Sequence, residues 1–274
     1  MLHGPLTGSG DLKPLPPLPF EPLERIEPPT ANEFIRTYFE PGRPVLLAGL
    51  ARGWPACEKW SAAFFKERHR DVHVRVMKTR EGRVRYEEKG LHYEHVLLGS
   101  FLDSLDKMSP EGHFLSTEIQ NLPAGIRSDL MKLPYCAHPD WEKVKFWISP
   151  PGNVAPLHRD SPHNLYVQLA GKKQFVLFPP SDTRNLYPDW SRFRILSKAD
   201  PEAADLDRFP RLMQAQGFRC VLEPGDVLFF PAWWWHQTRS LELSISVSNW
   251  WANGSFAWLI RMIDTAKRFL GLSR

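Results

Sequence analysis

Two short motifs carry side chains that could bind a metal ion. His158 and Asp160 stand one residue apart in PLHRDSPHN, and His236 follows three consecutive tryptophans in PGDVLFFPAWWWHQT. Each motif alone has an ordinary explanation: a surface turn capped by Asp160, or a core histidine bonded to a carbonyl. Together, two imidazoles and one carboxylate form the set that holds Fe(II) on one face and leaves positions open for small ligands. The sequence therefore predicts a metal site from these three residues, with zinc as the alternative ion.

A polar strand face follows the first motif. Alternation along HNLYVQLAGKKQF places Asn164, Tyr166 and Gln168 on one face and apolar residues on the other. A polar inner face beside a metal is costly unless it contacts something bound. Lys173 opens the next strand, where an inward ammonium would anchor a carboxylate; the alternative is a solvated hairpin lysine. The pattern indicates a small dianion as the ligand.

The segments GNVAPLHRDSPHNLYVQLAGKKQFVLFPP and EPGDVLFFPAWWWHQTRSLELSISVSNWW resemble the JmjC-domain, cupin-like oxygenases that use Fe(II) and 2-oxoglutarate. The similarity is greatest to the small JmjC hydroxylases, the group containing the asparaginyl hydroxylase that modifies hypoxia-inducible factor. RPVLLAGLARGWPACEKW resembles the segment before the barrel in that group, so the likeness covers roughly residues 30–252. It implies a dioxygenase that hydroxylates a protein side chain or a small molecule while releasing succinate and carbon dioxide.

The resemblance also assigns roles to individual residues. It makes the two histidines and the aspartate named above the iron ligands. It pairs Lys173 with the distal carboxylate of 2-oxoglutarate, and it matches Asn164 and Asn249 to polar positions of the same pocket. Trp147, before the metal motif, matches an aromatic residue of the pocket wall.

Two positions depart from the family pattern. Relatives commonly have Thr or Ser where this chain has Ala155, and a tyrosine where it has Phe114. Each hydroxyl that is missing removes a hydrogen bond to the cosubstrate worth on the order of 1 kcal/mol. We therefore hypothesise that Tyr166, where relatives often have Phe, supplies a replacement hydroxyl.

Other functions are compatible with the same residues. N-methyl demethylation begins with the same hydrogen abstraction, although the absence of paired CxxC zinc modules favours the hydroxylase branch. Ala155 and Phe114 leave open a non-catalytic cupin that binds a small acid or a protein. A zinc or manganese cupin acting as an isomerase or hydrolase is the third alternative.

The order of predicted elements indicates a mainly β fold with flanking helices. We expect a double-stranded β-helix (jelly-roll, cupin-like) core after an N-terminal α/β layer. NLYVQLAGKKQFVLFPP reads as two strands turning at Gly171, and FRCVLEPGDVLFFP and LELSISVSNWW as three more. Helices are predicted over YEHVLLGSFLDSL (93–105) and AGIRSDLMKL (124–133).

Three segments follow from this reading. Residues 1–29 form a proline-rich extension, residues 30–252 a JmjC, cupin-like catalytic domain, and residues 253–274 a C-terminal helix. The helix has apolar residues at helical spacing, so it either packs on its own domain or forms a homodimer.

Composition limits the partners. The chain has 274 residues and a formal net charge of +4, with basic residues interleaved among acidic ones, which does not indicate a nucleic-acid partner. Its densest apolar stretch is broken by Pro231 and is too short to span a bilayer. Three dispersed cysteines argue against a disulfide framework, so we expect a cytoplasmic protein whose substrate the sequence does not identify.

Overall fold

The computed structural model describes residues 18, 20–84, 86–87, 90–91, 93–105, 111–136, 139–189 and 196–269. The strands are β1 Phe20–Pro22, β2 Arg25–Ile26, β3 Val45–Leu47, β4 His73–Arg80, β5 Arg83–Val84, β6 Tyr86–Glu87, β7 Gly90–Leu91, β8 Tyr93–Leu97, β9 Glu111–Glu118, β10 Trp141–Ser149, β11 Val154–Arg159, β12 His163–Ala170, β13 Lys173–Phe178, β14 Gly217–Leu222, β15 Val227–Phe230, β16 Trp235–Ser240 and β17 Ser244–Ala252. The α-helices are α1 Ala31–Phe34, α2 Pro55–Lys59, α3 Ala62–Arg68, α4 Leu98–Ser104, α5 Ala124–Arg127 and α6 Gly254–Phe269, with a π-helical turn at Ile35–Phe39.

The last eight strands form the jelly roll that the sequence predicts. Strands β10, β17, β12 and β15 make one antiparallel sheet, and β11, β16, β13 and β14 make the other. Successive strands therefore alternate between the sheets, except that β13 and β14 are neighbours in the same one, and the turn after β12 carries the chain across to β13. Gly171 in that turn has φ +66°, and a Cβ there would lie 2.1 Å from the Leu243 carbonyl oxygen. Only glycine fits this crossing without strain.

The N-terminal elements cover the larger sheet and extend it. Strands β3 and β2 continue it beyond β15, while β9, β4 and β8 continue it beyond β10. Phe34 of α1, Phe65 of α3 and Phe101 of α4 are buried in one cluster with Phe146 and Trp251 of the sheet. This core fixes the outer face of the sheet, so the inner face is left to line the barrel.

Two predicted helices differ from the structure. In 93–105 the first five residues form β8, and only Leu98–Ser104 is helical, because Tyr93–Leu97 pairs with His73–Met77 of β4. In 124–133 the helix ends at Arg127. Apolar spacing predicted a helix in both segments, but strand pairing decided the conformation of the first.

The described part of the N-terminal extension is an extended strap. Residues 1–17 and 19 lie outside the described residues. Strand β1 pairs in parallel with β14, and β2 in parallel with β3. Arg25 fastens this strap to Asp226, which is 1% exposed, with an N–O distance of 2.7 Å. Thr30 and Glu33 form a capping box at the start of α1.

The C-terminal helix packs on its own domain by one face. Ala257 and Ile260 are buried with Ala252, against the partly buried Trp141. The other face is open: Trp258 is 64% exposed. No helix in the described ranges is both long and apolar enough to span a bilayer.

Candidate metal centre

The three predicted metal ligands come together at the end of the jelly roll. One ligand atom from each of His158, Asp160 and His236 lies within 4.8 Å of the other two. His158 near the end of β11 and His236 at the start of β16 are direct register partners, and their ring centroids are 4.1 Å apart. Asp160 follows β11 directly, with its Oδ2 3.8 Å from His236 Nε2. One strand pair therefore positions all three side chains.

Backbone contacts fix both imidazoles with one nitrogen free. His158 Nδ1 lies 2.8 Å from the Pro156 carbonyl oxygen, and His236 Nδ1 lies 3.1 Å from that of Trp234. Each carbonyl accepts a hydrogen bond from Nδ1–H. This leaves the lone pair of each Nε2 available to a metal ion. Burial, and then the neighbouring His158, lower the pKa of His236 to about 3. This ring is therefore neutral at physiological pH, as a metal ligand must be.

A strained residue holds the aspartate segment. Trp233 has φ +67°, a left-handed conformation that is rare for a bulky side chain. Its amide donates a 2.8 Å hydrogen bond to the Asp160 carbonyl oxygen. The Arg159 guanidinium lies 5.5 Å from the Trp233 ring centroid and 5.1 Å from that of Trp235. Backbone strain is thus maintained where it fastens a predicted ligand.

A cavity of about 170 Å³ opens beside the three ligands. It is lined by strands of both sheets of the jelly roll and by β4, β5, β8 and β9. Its lining residues are Met77, Val84, Tyr93, Phe114, Ser116, Lys145, Trp147, Ala155, His158, Arg159, Asp160, Asn164, Tyr166, Lys173, Phe175, Phe230, His236, Thr238, Ser248 and Trp250.

Lys173 lies inside this cavity rather than in solvent. Its side chain is 2% exposed, and its Nζ donates a 2.7 Å hydrogen bond to the Tyr166 hydroxyl. Among the described residues, no carboxylate forms an ion pair with it. Burial lowers its pKa to about 7. An ammonium buried without a counter-ion is costly, so its place in the cavity fits an anionic ligand.

Two buried oxygens point to the same conclusion. Asn164 Oδ1 and Ser116 Oγ belong to lining residues and have no hydrogen-bond partner within the described structure. Buried polar atoms in folded proteins normally have a partner, supplied by protein, water or ligand. Nitrogen and carboxylate donors for a divalent ion, a buried cation and unpartnered oxygens together fit a metal and a small dianion.

Asn249 is not brought to this cavity. Strand β17 alternates, so its inward face carries Ser246, Ser248 and Trp250, whereas Asn249 lies on the other face. Its Nδ2 donates to the Leu165 carbonyl oxygen at 3.2 Å. The prediction for Asn249 was displaced by one residue, and Ser248 is the polar residue of β17 that lines the cavity.

Trp147 lines the cavity as the sequence predicts. Its indole N–H donates to Ser248 Oγ at 3.0 Å, and its ring stacks on Phe114 with centroids 5.3 Å apart. Phe114 and Ala155 both line the cavity, and neither side chain carries a hydroxyl. Tyr166 does: its hydroxyl contacts Lys173 Nζ and Ser246 Oγ. The hypothesis of a replacement hydroxyl stays a prediction with a suitable geometry.

Sequence reasoning missed several lining residues that alternation could have found. Thr238 lies two residues after His236 on the same strand face, and Ser248 and Trp250 share the inward face of β17. Lys145 lies two residues before Trp147 on the inward face of β10. In contrast, Trp235 is fully buried in a separate core cluster and is not a lining residue, which agrees with a packing role.

Comparisons with known proteins agree with this geometry. A profile of the cupin-like domain family matches residues 30–255. Lysine-specific demethylase 8 of Xenopus tropicalis is 32% identical over 237 residues, covering 84% of this chain and 53% of that protein. Human bifunctional peptidase and (3S)-lysyl hydroxylase JMJD7 is 30% identical, covering 82% of each chain. tRNA wybutosine-synthesizing protein 5 of Danio rerio is 28% identical, covering 83% of this chain and 76% of that protein.

The matches cover most of this chain but differ in how much of each relative they cover. The chain spans about half the length of the demethylase 8 relative from Xenopus, which has sequence outside the match. The family profile nevertheless covers most of the chain, and the JMJD7 match covers most of both proteins. Together with the jelly roll and the converging His158, Asp160 and His236, these matches show that the chain belongs to the cupin-like JmjC family.

Proposed function

We propose that this protein is an Fe(II)- and 2-oxoglutarate-dependent oxygenase that hydroxylates its substrate. The observation that carries the proposal is the juxtaposition of two kinds of group in one cavity. His158, Asp160 and His236 offer a set that could bind a metal, and Lys173 offers a buried cation for which the described residues supply no anion. When bound, the ferrous ion and 2-oxoglutarate would supply the oxidation, with dioxygen consumed, the cosubstrate cleaved to succinate and carbon dioxide, and one oxygen atom delivered to the substrate.

The protein's own residues would bind the metal ion, orient 2-oxoglutarate and exclude water from the cavity. The imidazoles present Nε2 because their Nδ1 protons are held by backbone carbonyls. Lys173 would neutralise the distal carboxylate of 2-oxoglutarate, assisted by the Tyr166 hydroxyl. The amide of Asn164 lies within the same lining, and Trp147 forms part of the apolar wall that excludes water.

The site supports hydroxylation and demethylation in its first step. Demethylation is the second candidate, because relatives named as lysine-specific demethylases match this chain at 30–33% identity. The two differ in product: hydroxylation adds one oxygen to the substrate, whereas demethylation removes a methyl group and releases formaldehyde. The substrate class is open among a protein side chain, a modified nucleoside and a small molecule.

Succinate production tests the proposal. We expect the wild type to form succinate from 2-oxoglutarate only when Fe(II) is added, and His158→Ala to lose this turnover. His73→Ala is the matched control, because His73 is exposed at the start of β4, remote from the cavity lining. Candidate substrates are then screened by mass spectrometry for a gain of one oxygen. Iron-independent turnover, or an unchanged His158→Ala rate, would reject the proposal.

Turnover of 2-oxoglutarate and analysis of the bound metal separate the remaining alternatives. A non-catalytic binding protein would hold 2-oxoglutarate without converting it, and a zinc or manganese enzyme would retain that metal after anaerobic purification. A cytoplasmic location stays a prediction; it is supported by three free cysteines, of which Cys220 is buried and the other two are half-buried.

A further inference from the structure

A second cation lines the cavity at a different level from Lys173. Lys145 lies on the inward face of β10 and pairs in register with Ser248, whereas the hydroxyl that contacts Lys173 reaches Ser246. Its Nζ lies 5.4 Å from the ring centroids of both Trp147 and Trp250. The two rings meet edge to face, with centroids 6.0 Å apart. Lys145 is therefore held in an aromatic corner of the cavity.

Asp160 and Glu118 attract Lys145, but no described carboxylate forms an ion pair with it. Within the described ranges it forms no ion pair, and Glu118, its register partner on β9, is bonded to Lys143 at 3.1 Å instead. Burial, followed by repulsion from Arg75 and Lys143, lowers the pKa of Lys145 to about 8. The side chain thus remains mostly charged at neutral pH. Contact with two indole rings favours a cation but leaves its charge in place.

Trp250 adds an unused donor at the same corner. Its indole Nε1 is buried and has no hydrogen-bond partner among the described residues, although the ring lines the cavity. An indole N–H can only donate, so an acceptor atom is what it lacks. The Lys145 ammonium, 5.4 Å from the centroid of the Trp250 ring, and the N–H donor of that ring together offer the groups that a carboxylate binds.

The charges of the loaded site lead to the same class of ligand. In the function proposed above, the ferrous ion, Asp160, the dianionic 2-oxoglutarate and protonated Lys173 carry charges that cancel. Lys145 is then left as a cation without an ion-pair partner among the described residues of the cavity lining. A lysine or methyl-lysine substrate would place a further cation here, which is unfavourable at close range.

We propose that this cavity selects a substrate bearing a carboxylate, which Lys145 and the Trp250 indole N–H bind. The inference rests on the proposed function, since it assigns the substrate class of the same site. The carboxylate belongs either to an acidic side chain in a polypeptide or to a free small acid. Both present the same group to Lys145, and only the size of the rest of the molecule differs.

Calorimetric binding of small probes tests the inference on anaerobic protein loaded with Fe(II) and saturating 2-oxoglutarate. The probes are glutamate, glutamine and lysine, each used as the free amino acid and as its N-acetyl methylamide. We expect the better-bound glutamate form to bind roughly tenfold more tightly than its glutamine counterpart, a ratio equivalent to one charge-assisted contact. Binding of the blocked glutamate indicates a polypeptide substrate, and binding of only the free form indicates a small acid.

Matched variants locate the preference. Lys145→Met should abolish it, Lys145→Arg should retain much of it, and Trp250→Phe should weaken it. Lys132→Met, at an exposed lysine that is not among the lining residues, should leave it unchanged. Thermal unfolding checks that each variant folds.

Equal or tighter binding of glutamine or lysine probes, no detectable binding of either glutamate probe, or a preference that survives in Lys145→Met would overturn the inference. Failure of the proposed function looks different, because wild-type protein would then fail to bind 2-oxoglutarate in a metal-dependent way before any probe is added.

Discussion

The ammonium of Lys173 donates a 2.7 Å hydrogen bond to the hydroxyl of Tyr166 inside the jelly roll. Tyr166 lies in β12 and Lys173 is the first residue of β13. These strands belong to opposite sheets, so the bond crosses the barrel. In the described structure Lys173 forms this hydrogen bond but no ion pair. Tyr166 therefore orients the group that would receive the distal carboxylate of 2-oxoglutarate.

Removing this hydroxyl should weaken cosubstrate binding. We expect Tyr166→Phe to raise the apparent KM for 2-oxoglutarate about fivefold, equivalent to a neutral hydrogen bond of about 1 kcal/mol. The measurement is succinate formation against 2-oxoglutarate concentration. Tyr135→Phe is the control, since its hydroxyl donates to the Pro29 carbonyl oxygen at 2.7 Å, remote from the cavity. An unchanged KM in Tyr166→Phe would contradict the hypothesis of a replacement hydroxyl.

The buried lysine should also make stability depend on pH. Burial lowers the pKa of Lys173 from 10.5 to about 7. Between these values the unfolded chain binds more protons at this site than the folded chain, so the free energy of unfolding rises with pH. Lys173→Met lacks this contribution. Urea unfolding without 2-oxoglutarate, at about pH 7 and about pH 9, should show a steeper rise for the wild type than for Lys173→Met. Equal slopes would show that Lys173 keeps its proton when folded.

Binding of 2-oxoglutarate should take up a proton. A carboxylate beside Lys173 favours its charged form and raises its pKa, so at about pH 8 a lysine that is mostly neutral becomes protonated. Affinity should therefore fall as pH rises above 7. Calorimetry in buffers with different ionisation enthalpies counts the protons, with Lys173→Arg as the control because arginine stays charged. Equal proton uptake in the two proteins would reject this role for Lys173.

The strained backbone at Trp233 predicts a contrast between two substitutions. Glycine adopts φ near +67° freely and keeps the amide that donates to Asp160, so Trp233→Gly should retain metal affinity. Proline lacks the N–H and cannot reach this φ, so Trp233→Pro should lose at least tenfold in affinity, the scale reported for supporting contacts around metal ligands. Metal titration measures both, with circular dichroism to check folding. Similar affinities would show that this hydrogen bond does not position Asp160.

The homodimer that the sequence leaves as an alternative has a defined surface to test. The open face of α6 includes Trp258, Leu259 and Met262, which are 64%, 43% and 51% exposed. If this face joins two copies, light scattering should give a dimer mass for the intact chain and a monomer mass for Trp258→Glu. Met131→Glu, which places the same charge at an apolar side chain outside α6 that is 56% exposed, is the control. A monomer mass for the intact chain would reject the dimer.

The sequence predicted the chemistry of the site better than the phase of every strand. His158, Asp160, His236 and Lys173 were identifiable because metal-binding and buried charged side chains are rare in apolar strands. Asn249 was misplaced because a shift of one residue moves a side chain to the other face of a strand. The structure places Ser248 in the lining instead.

Other features required tertiary information. The helix predicted over 93–105 begins as β8 because the edge of β4 was available for pairing. The importance of Lys145 could not be inferred from KFWISPP, since its corner is completed by Trp250 from a strand distant in sequence. Likewise, the order of the two sheets follows from crossings such as that at Gly171, which local patterns describe only as turns.

In the candidate metal centre, the Nδ1–H of each histidine donates to the carbonyl two residues before it, within its own stretch of chain. Local hydrogen bonds therefore set the orientation of both imidazoles independently of a metal ion. Chelation should consequently empty the centre without melting the protein, and reloading should be limited by access rather than by refolding. Under the proposed function, the protein would lose and regain its activity as iron supply changes while its architecture persists.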